Sequence, residues 1–184
     1  MLSSQAKIDM PNAPRNEIKS NTVDSLRLAM RGLAKSVVLI SSIDQNGQRH
    51  VMAATAVTPV SMAPPSMLFC INRDASSYPA LKEGADFCIN VLARDHLMLA
   101  HVCSVGAKGE ARFDQGAWTQ DEFGVPYLAD AQSSIICEQD LCQPYGSHDI
   151  FIGLVRDIHF GHEIEPLVYA NGVYDRLVGE ALVV

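Results

Sequence analysis

The chain has 184 residues, of which 48% are hydrophobic and 19% charged: about one domain's worth, and too apolar for a disordered segment. Its formal net charge is −7 with no block of lysine or arginine, which argues against a protein that grips a nucleic-acid backbone. No apolar run approaches the ~20 residues of a membrane span, and residues 1–21 lack the apolar core of a secretory signal, so they are expected to form a polar arm ahead of one domain over 22–184 in a cytoplasmic protein.

The first periodic element runs from about Val23 to Leu33, with Val23, Leu26, Met30 and Leu33 on one helical face and Asn21 or Thr22 as the cap. The β-branched run Ser36–Ile43 ends at Asp44–Gly47 (DQNG), a turn signal that predicts a hairpin returning along Arg49–Val57. That returning strand is rich in alanine, which is unusual for a strand that only packs a core. Pro59, Pro64 and Pro65 predict a loop, followed by a short buried strand over Ser66–Asn72. A polar turn and short helix are expected over Arg73–Gly84, a strand over Asp86–Leu92, a compact helix over Asp95–Ser104 and then a Gly-rich loop.

Residues Asp114–Asp130 read as irregular. Strands follow over Ser133–Leu141 and Asp149–Phe160, flanking the turn Gly146-Ser147-His148, and the pair Asn171-Gly172 marks a last hairpin within Pro166–Leu177. Most strands thus come as hairpins with few helices between them, which predicts an antiparallel, mainly β barrel with peripheral helices. Cys70, Cys88, Cys103, Cys137 and Cys142 are odd in number and contain no CxxC, so they are expected to be reduced thiols, with no metal site among them.

Several chemistries lack their motifs. The chain has no GxGxxG after a strand, no GxxxxGK[ST] and no GxSxG elbow. His96 and His101 are five residues apart on the expected helix and face different ways, while His159 and His162 lie at a strand end, so neither pair is expected to hold a metal. What remains is distributed. Ala53–Ser61 (AATAVTPVS) supplies small residues and hydroxyls where a flat ligand can approach the backbone closely, and Asn72–Ser77 (NRDASS) supplies an arginine, two hydroxyls and turn N–H groups that suit a phosphate. His148, in the stretch GSHDIFIG, can be read locally either as a hairpin end or as a ligand contact.

In that order, with Leu26–Ser41, His50–Leu81, Phe87–Asp95, Ala111–Trp118, Gly124–Ala131, Gly146–Val155 and Pro166–Leu177, the chain resembles the flavin reductase-like family, the small reductase components of two-component monooxygenases. The resemblance implies an antiparallel split β-barrel of the FMN-binding type, assembled as a homodimer. It implies FMN (or FAD) as flavin, NAD(P)H as co-substrate and a flavin-dependent monooxygenase as partner. Ala53, Ala54, Thr55 and Ala56 would line the isoalloxazine; Asn72, Arg73, Ser76 and Ser77 would hold the ribityl chain and phosphate. Phe113 and Tyr174 would border the cavity, and His148 would sit beside flavin and nicotinamide as the catalytic-site histidine that positions them. Three positions depart from the family pattern: Ala53 stands where many relatives carry Thr, Pro59 replaces a small polar residue, and Ser147 stands where Asp commonly precedes the histidine. The same barrel also serves non-catalytic flavin- or haem-binding proteins and purely structural dimers, and these are the alternatives to a reductase.

Overall fold

The computed structural model describes residues 21–161 and 163–176; the expected arm, His162 and the chain from 177 onward lie outside them. The described chain opens with helix α1 (Thr22–Met30) and strands β1 (Lys35–Ser36), β2 (Val38–Ile43), β3 (Arg49–Ala54), β4 (Val57–Met62) and β5 (Pro65–Asn72). Helix α2 (Tyr78–Lys82) precedes β6 (Phe87–Val91), and α3 (Leu97–His101) runs on into a wider π-helical turn, Val102–Gly106. Strands β7 (Trp118–Gln120), β8 (Pro126–Leu128), β9 (Ser133–Tyr145), β10 (His148–Phe160), β11 (Leu167–Ala170) and β12 (Val173–Arg176) complete it.

Seven strands form one antiparallel sheet in the order β3-β2-β6-β9-β10-β5-β4, with β1-β11-β12 and β7-β8 as smaller sheets. The local chemistry sets the turns. Asp44 accepts backbone N–H bonds from Asn46 and Gln48, both at 2.9 Å, and so closes the β2–β3 hairpin. Asn171 and Gly172 both take positive φ (51° and 85°), the twist a two-residue hairpin between β11 and β12 requires.

Strand β2 shows how the core divides. Val38 and Ile40 point into a cluster with Phe69, Phe87, Ile89 and Phe151, while Val37 and Leu39 point the other way, onto Leu92, Leu99, Phe113 and Leu128. The strand is buried on both faces because the sheet curls around the first cluster and the helices cover the second. Inside the barrel, Phe69 meets Phe87 edge-on at 4.8 Å and stacks on Phe151 at 5.2 Å. Gly153 in β10 lies against the Phe87 ring, and a Cβ there would also meet the Cys137 Cβ at 2.7 Å.

Three expectations need correction. The proline-rich segment is not a loop throughout: Val57–Met62 is strand β4, ending in the turn that carries Pro64. Pro59 is tolerated because β4 is an edge strand with a register shift between Pro59 and Ser61, where a missing N–H breaks no interior ladder. The segment read as irregular contains the β7–β8 hairpin, held by the Asp121 carboxylate accepting N–H bonds from Phe123 and Val125. Finally, α1 is helical as expected but buries none of its residues; Val23, Leu26, Met30 and Leu33 are all about half exposed or more.

Candidate functional site

Strands β3 and β4 are consecutive in the chain yet lie at opposite edges of the seven-stranded sheet. The sheet therefore curls until its edges are bridged by two residues, Thr55 and Ala56, without the edges pairing with each other. Along this split the backbone is only partly engaged: the Ala56 carbonyl accepts the Cys70 N–H at 3.1 Å, and the Val51 carbonyl on the outer side of β3 accepts Arg112 Nη1 at 2.6 Å. Backbone groups left without a ladder partner are available to a ligand edge.

Cavities flank the link on both sides. One, of about 370 Å³, is bounded by Ala53, Ala54, Thr55, His101, Ser104 and Tyr174 among others. A second, of about 640 Å³, is bounded by Thr55, Ala56, Val57, Met67, Cys70 and Ile89 among others. Both fall in the volume range of small-molecule sites. The alanines of β3 are explained by this placement: a larger side chain at Ala53 or Ala54 would intrude on the first cavity. Ala53 and Tyr174 also pack against the outer core cluster that contains Phe113.

The Asn72–Ser77 turn continues from β5. The Asn72 side chain accepts the Asp74 N–H at 2.9 Å, and the Arg73 N–H donates to the Ser147 carbonyl at 3.2 Å, tying the turn to the β9–β10 hairpin. Arg73 Nε donates to Asp149 Oδ1 at 2.6 Å, while Lys82 Nζ at 3.1 Å and Tyr78 OH at 3.0 Å donate to Oδ2. Burial alone would raise the Asp149 carboxyl pKa, but the bonds from Arg73, Lys82, Tyr78 and Cys142 outweigh it and hold the group well below the usual carboxylate range. The Arg73 side chain stays 42% exposed, so its guanidinium is oriented and still accessible. The Ser77 hydroxyl is buried and has no hydrogen-bond partner among the described residues.

His148 stands directly opposite Asn72 in the β5–β10 ladder. It is exposed, and its Nδ1 shares a 2.9 Å hydrogen bond with Ser147 Oγ, so a hydroxyl takes up the orienting contact that an acidic neighbour would otherwise make. Asn72 lies two residues along β5 from Cys70, whose N–H bonds to Ala56, so this end of the site is about 7 Å along the strand from the link. His148 and Asn72 thus meet across the β5–β10 ladder, with Arg73, Ser76 and Ser77 in the turn that follows, while Ala53, Ala54, Thr55 and Tyr174 line the first cavity and Ala56 the second; the former group lines neither cavity. Phe113 is in neither group: it is buried edge-on against Trp118 at 4.8 Å, with the Arg49 guanidinium 4.2 Å above its ring.

Three features escaped the sequence. Asp149 was detectable, since β10 alternates with His148 out and Asp149, Phe151 and Gly153 in, and an inward aspartate demands cationic partners. His101 and Ser104 had no such signal, because their places at the cavity, at the end of α3 and in the π-helical turn after it, follow from packing and carry no local pattern. Among the described residues no group of His, Cys, Asp or Glu is arranged to hold a metal ion. All five cysteines are free thiols, and burial pushes Cys103 up to about 11 and Cys137 up to about 12.

An antiparallel barrel left open between two consecutive strands, with cavities on both sides of the joining link, is a split β-barrel. The chain belongs to the flavin reductase-like family, whose model, described as "Flavin reductase like domain", matches residues 30–178. It is 37% identical over 151 residues to the reductase component of an FADH(2)-dependent resorcinol hydroxylase from Rhizobium sp., covering 82% of this chain and 84% of that protein. It is 38% identical over 148 residues to the FMN reductase (NADH) RutF of Agrobacterium fabrum, covering 80% and 84%. Among solved structures it superposes on BorF, the flavin reductase component of a bacterial two-component tryptophan halogenase, with a TM-score of 0.75 and 26% identity, covering 86% of this chain and 99% of that one.

Proposed function

We propose that the protein is an NAD(P)H:flavin oxidoreductase that reduces FMN or FAD and passes the reduced flavin to a partner flavin-dependent monooxygenase. The observation that carries the reading is the pair of cavities on the two sides of Thr55–Ala56, which gives a flat ring backbone contacts along the split and leaves room for a second ring. A flavin held along Ala53–Ala56 with its phosphate at Arg73 would supply the redox chemistry, as acceptor of the hydride from the nicotinamide co-substrate with a proton from solvent.

The residues supply orientation. Ala53 and Ala54 keep the first cavity open, and the Thr55 and Ala56 backbone bonds the polar edge of the ring. Asn72, Arg73, Ser76 and Ser77 hold the ribityl chain and phosphate; the pre-set Arg73 guanidinium and the unpartnered Ser77 hydroxyl support that assignment. His148, held by Ser147, places the nicotinamide, while Tyr174 closes the far wall and Phe113 packs behind Ala53. The exposed apolar stripe of α1 supports a homodimer, and the use of NAD(P)H as co-substrate supports a cytoplasmic location.

The test is nicotinamide oxidation by the purified protein with FMN or FAD and NADH or NADPH. Turnover with at least one pairing is expected. Absence of turnover with all of them would sink the reading, and flavin binding without turnover would make the protein a carrier instead.

A further inference from the structure

A third cavity, of about 230 Å³, opens beside the first and shares Thr55, Tyr169 and Gly172 with it. Among the described residues its lining holds Arg27, Arg31 and Lys35 and no carboxylate, in a chain whose net charge is −7. Arg31 is fixed in place: its Nε donates to the Asn171 side-chain oxygen at 3.0 Å and its Nη2 to the Asn171 carbonyl at 3.1 Å. The turn returns the contact, since the Asn171 N–H donates to the Arg31 carbonyl at 2.9 Å. Gly172 makes the approach possible, because a Cβ there would stand 3.2 Å from Arg31 Nη2. Lys35 lines both this cavity and the larger one across the link, and among the described residues Arg27 pairs only with the exposed Asp24, at 3.0 Å.

A guanidinium held by two neutral acceptors keeps its full charge and is already oriented when an anion arrives. The cavity has room for roughly seven waters at ~30 Å³ each, enough for a diphosphate. We propose that Arg31 and Lys35, with Arg27 at the rim, form an anion subsite for the diphosphate of the nicotinamide dinucleotide that stacks on the flavin ring held along Ala53–Ala56. This rests on the reductase reading, and extends it: Arg73 serves one phosphate at one end of the site, and Arg31 with Lys35 serves a second at the other. Two ligands carry a diphosphate, the nicotinamide dinucleotide and FAD; because the ribityl-linked phosphate of the flavin lies at Arg73, the subsite falls to the nicotinamide dinucleotide.

Equilibrium titrations of the full chain with NAD+, FAD, FMN and riboflavin distinguish them. Among the described residues the Lys35 side chain makes no hydrogen bond, so Lys35→Glu reverses charge with little structural cost, and Arg31→Gln and Arg31→Lys separate charge from the Asn171 contacts. Lys35→Glu and Arg31→Gln are expected to weaken the ligand that uses the subsite by roughly tenfold, with Arg31→Lys closer to wild type and riboflavin unchanged. A loss confined to NAD+ supports the proposal; a loss confined to FAD would put the flavin diphosphate here, away from Arg73, and overturn it. Unchanged affinity for both, or an equal loss for riboflavin, overturns the proposal. Wild-type turnover is measured separately, so these results leave the reductase reading standing or falling on its own assay.

Discussion

Two neighbouring residues, His148 and Asp149, divide the work at the end of β10. His148 faces solvent and is oriented by Ser147, whereas Asp149 faces inward and binds Arg73, Lys82 and Tyr78. Replacing His148 with Ala removes no core contact, so the melting temperature should hold while kcat/KM for NADH falls roughly tenfold or more; unchanged kinetics would strip the histidine of its role. Asp149→Asn should act differently, raising KM for FMN more than for riboflavin because Arg73 loses its anchor. The acid response follows from the sign of the shift. A carboxyl held below its usual value contributes stability above about pH 4, and that contribution is lost as pH falls toward the folded-state pKa. Thermal melts from neutral pH to about pH 3 should therefore show a steeper decline for wild type than for Asp149→Asn, which starts lower at neutral pH with two cations unpaired. Matching pH profiles would contradict the account. His148 was legible because it follows a Gly-Ser turn and carries a family motif, whereas Asp149 was passed over although the period-2 alternation places it inside.

At the scale of elements, hairpins with their own turn chemistry were readable and those stabilised by position were not. Asp44–Gly47 and Asn171-Gly172 announce their turns, and both hairpins form. Strand β4 was hidden by its proline, which only its edge position permits, and β7–β8 by a polar linker that the Asp121 cap organises. The interior is pinned by a polar knot with no sequence signature. Asn90 donates to the Leu39 carbonyl and Ser41 Oγ at 3.0 and 2.9 Å and accepts from the Leu128 N–H and Ser134 Oγ at 2.7 and 3.0 Å, joining β2, β6, β8 and β9. Asn90→Ala strands several buried polar groups, and denaturant unfolding should register a loss of about 2–4 kcal/mol. A loss below about 1 kcal/mol would show that the knot is dispensable.

For the whole molecule, the curl of one sheet brings the ends of β3 and β4 to a two-residue link and leaves cavities on both sides of it. Mainly β architecture and antiparallel pairing followed from hairpin spacing; the split itself did not, because it depends on which strands become edges. The apolar stripe of α1 predicts association in solution. Leu26→Glu combined with Met30→Glu should shift the protein toward monomer in sedimentation experiments, and a wild type already monomeric would refute the dimer. The most direct test of the central claim is a single-turnover reaction without oxygen, following nicotinamide and flavin absorbance together as NADH is added to protein and FMN. The account predicts loss of the oxidised-flavin band in one-to-one proportion with NADH consumed, at a rate far above that of FMN and NADH alone. Bleaching no faster than that uncatalysed mixture would contradict it.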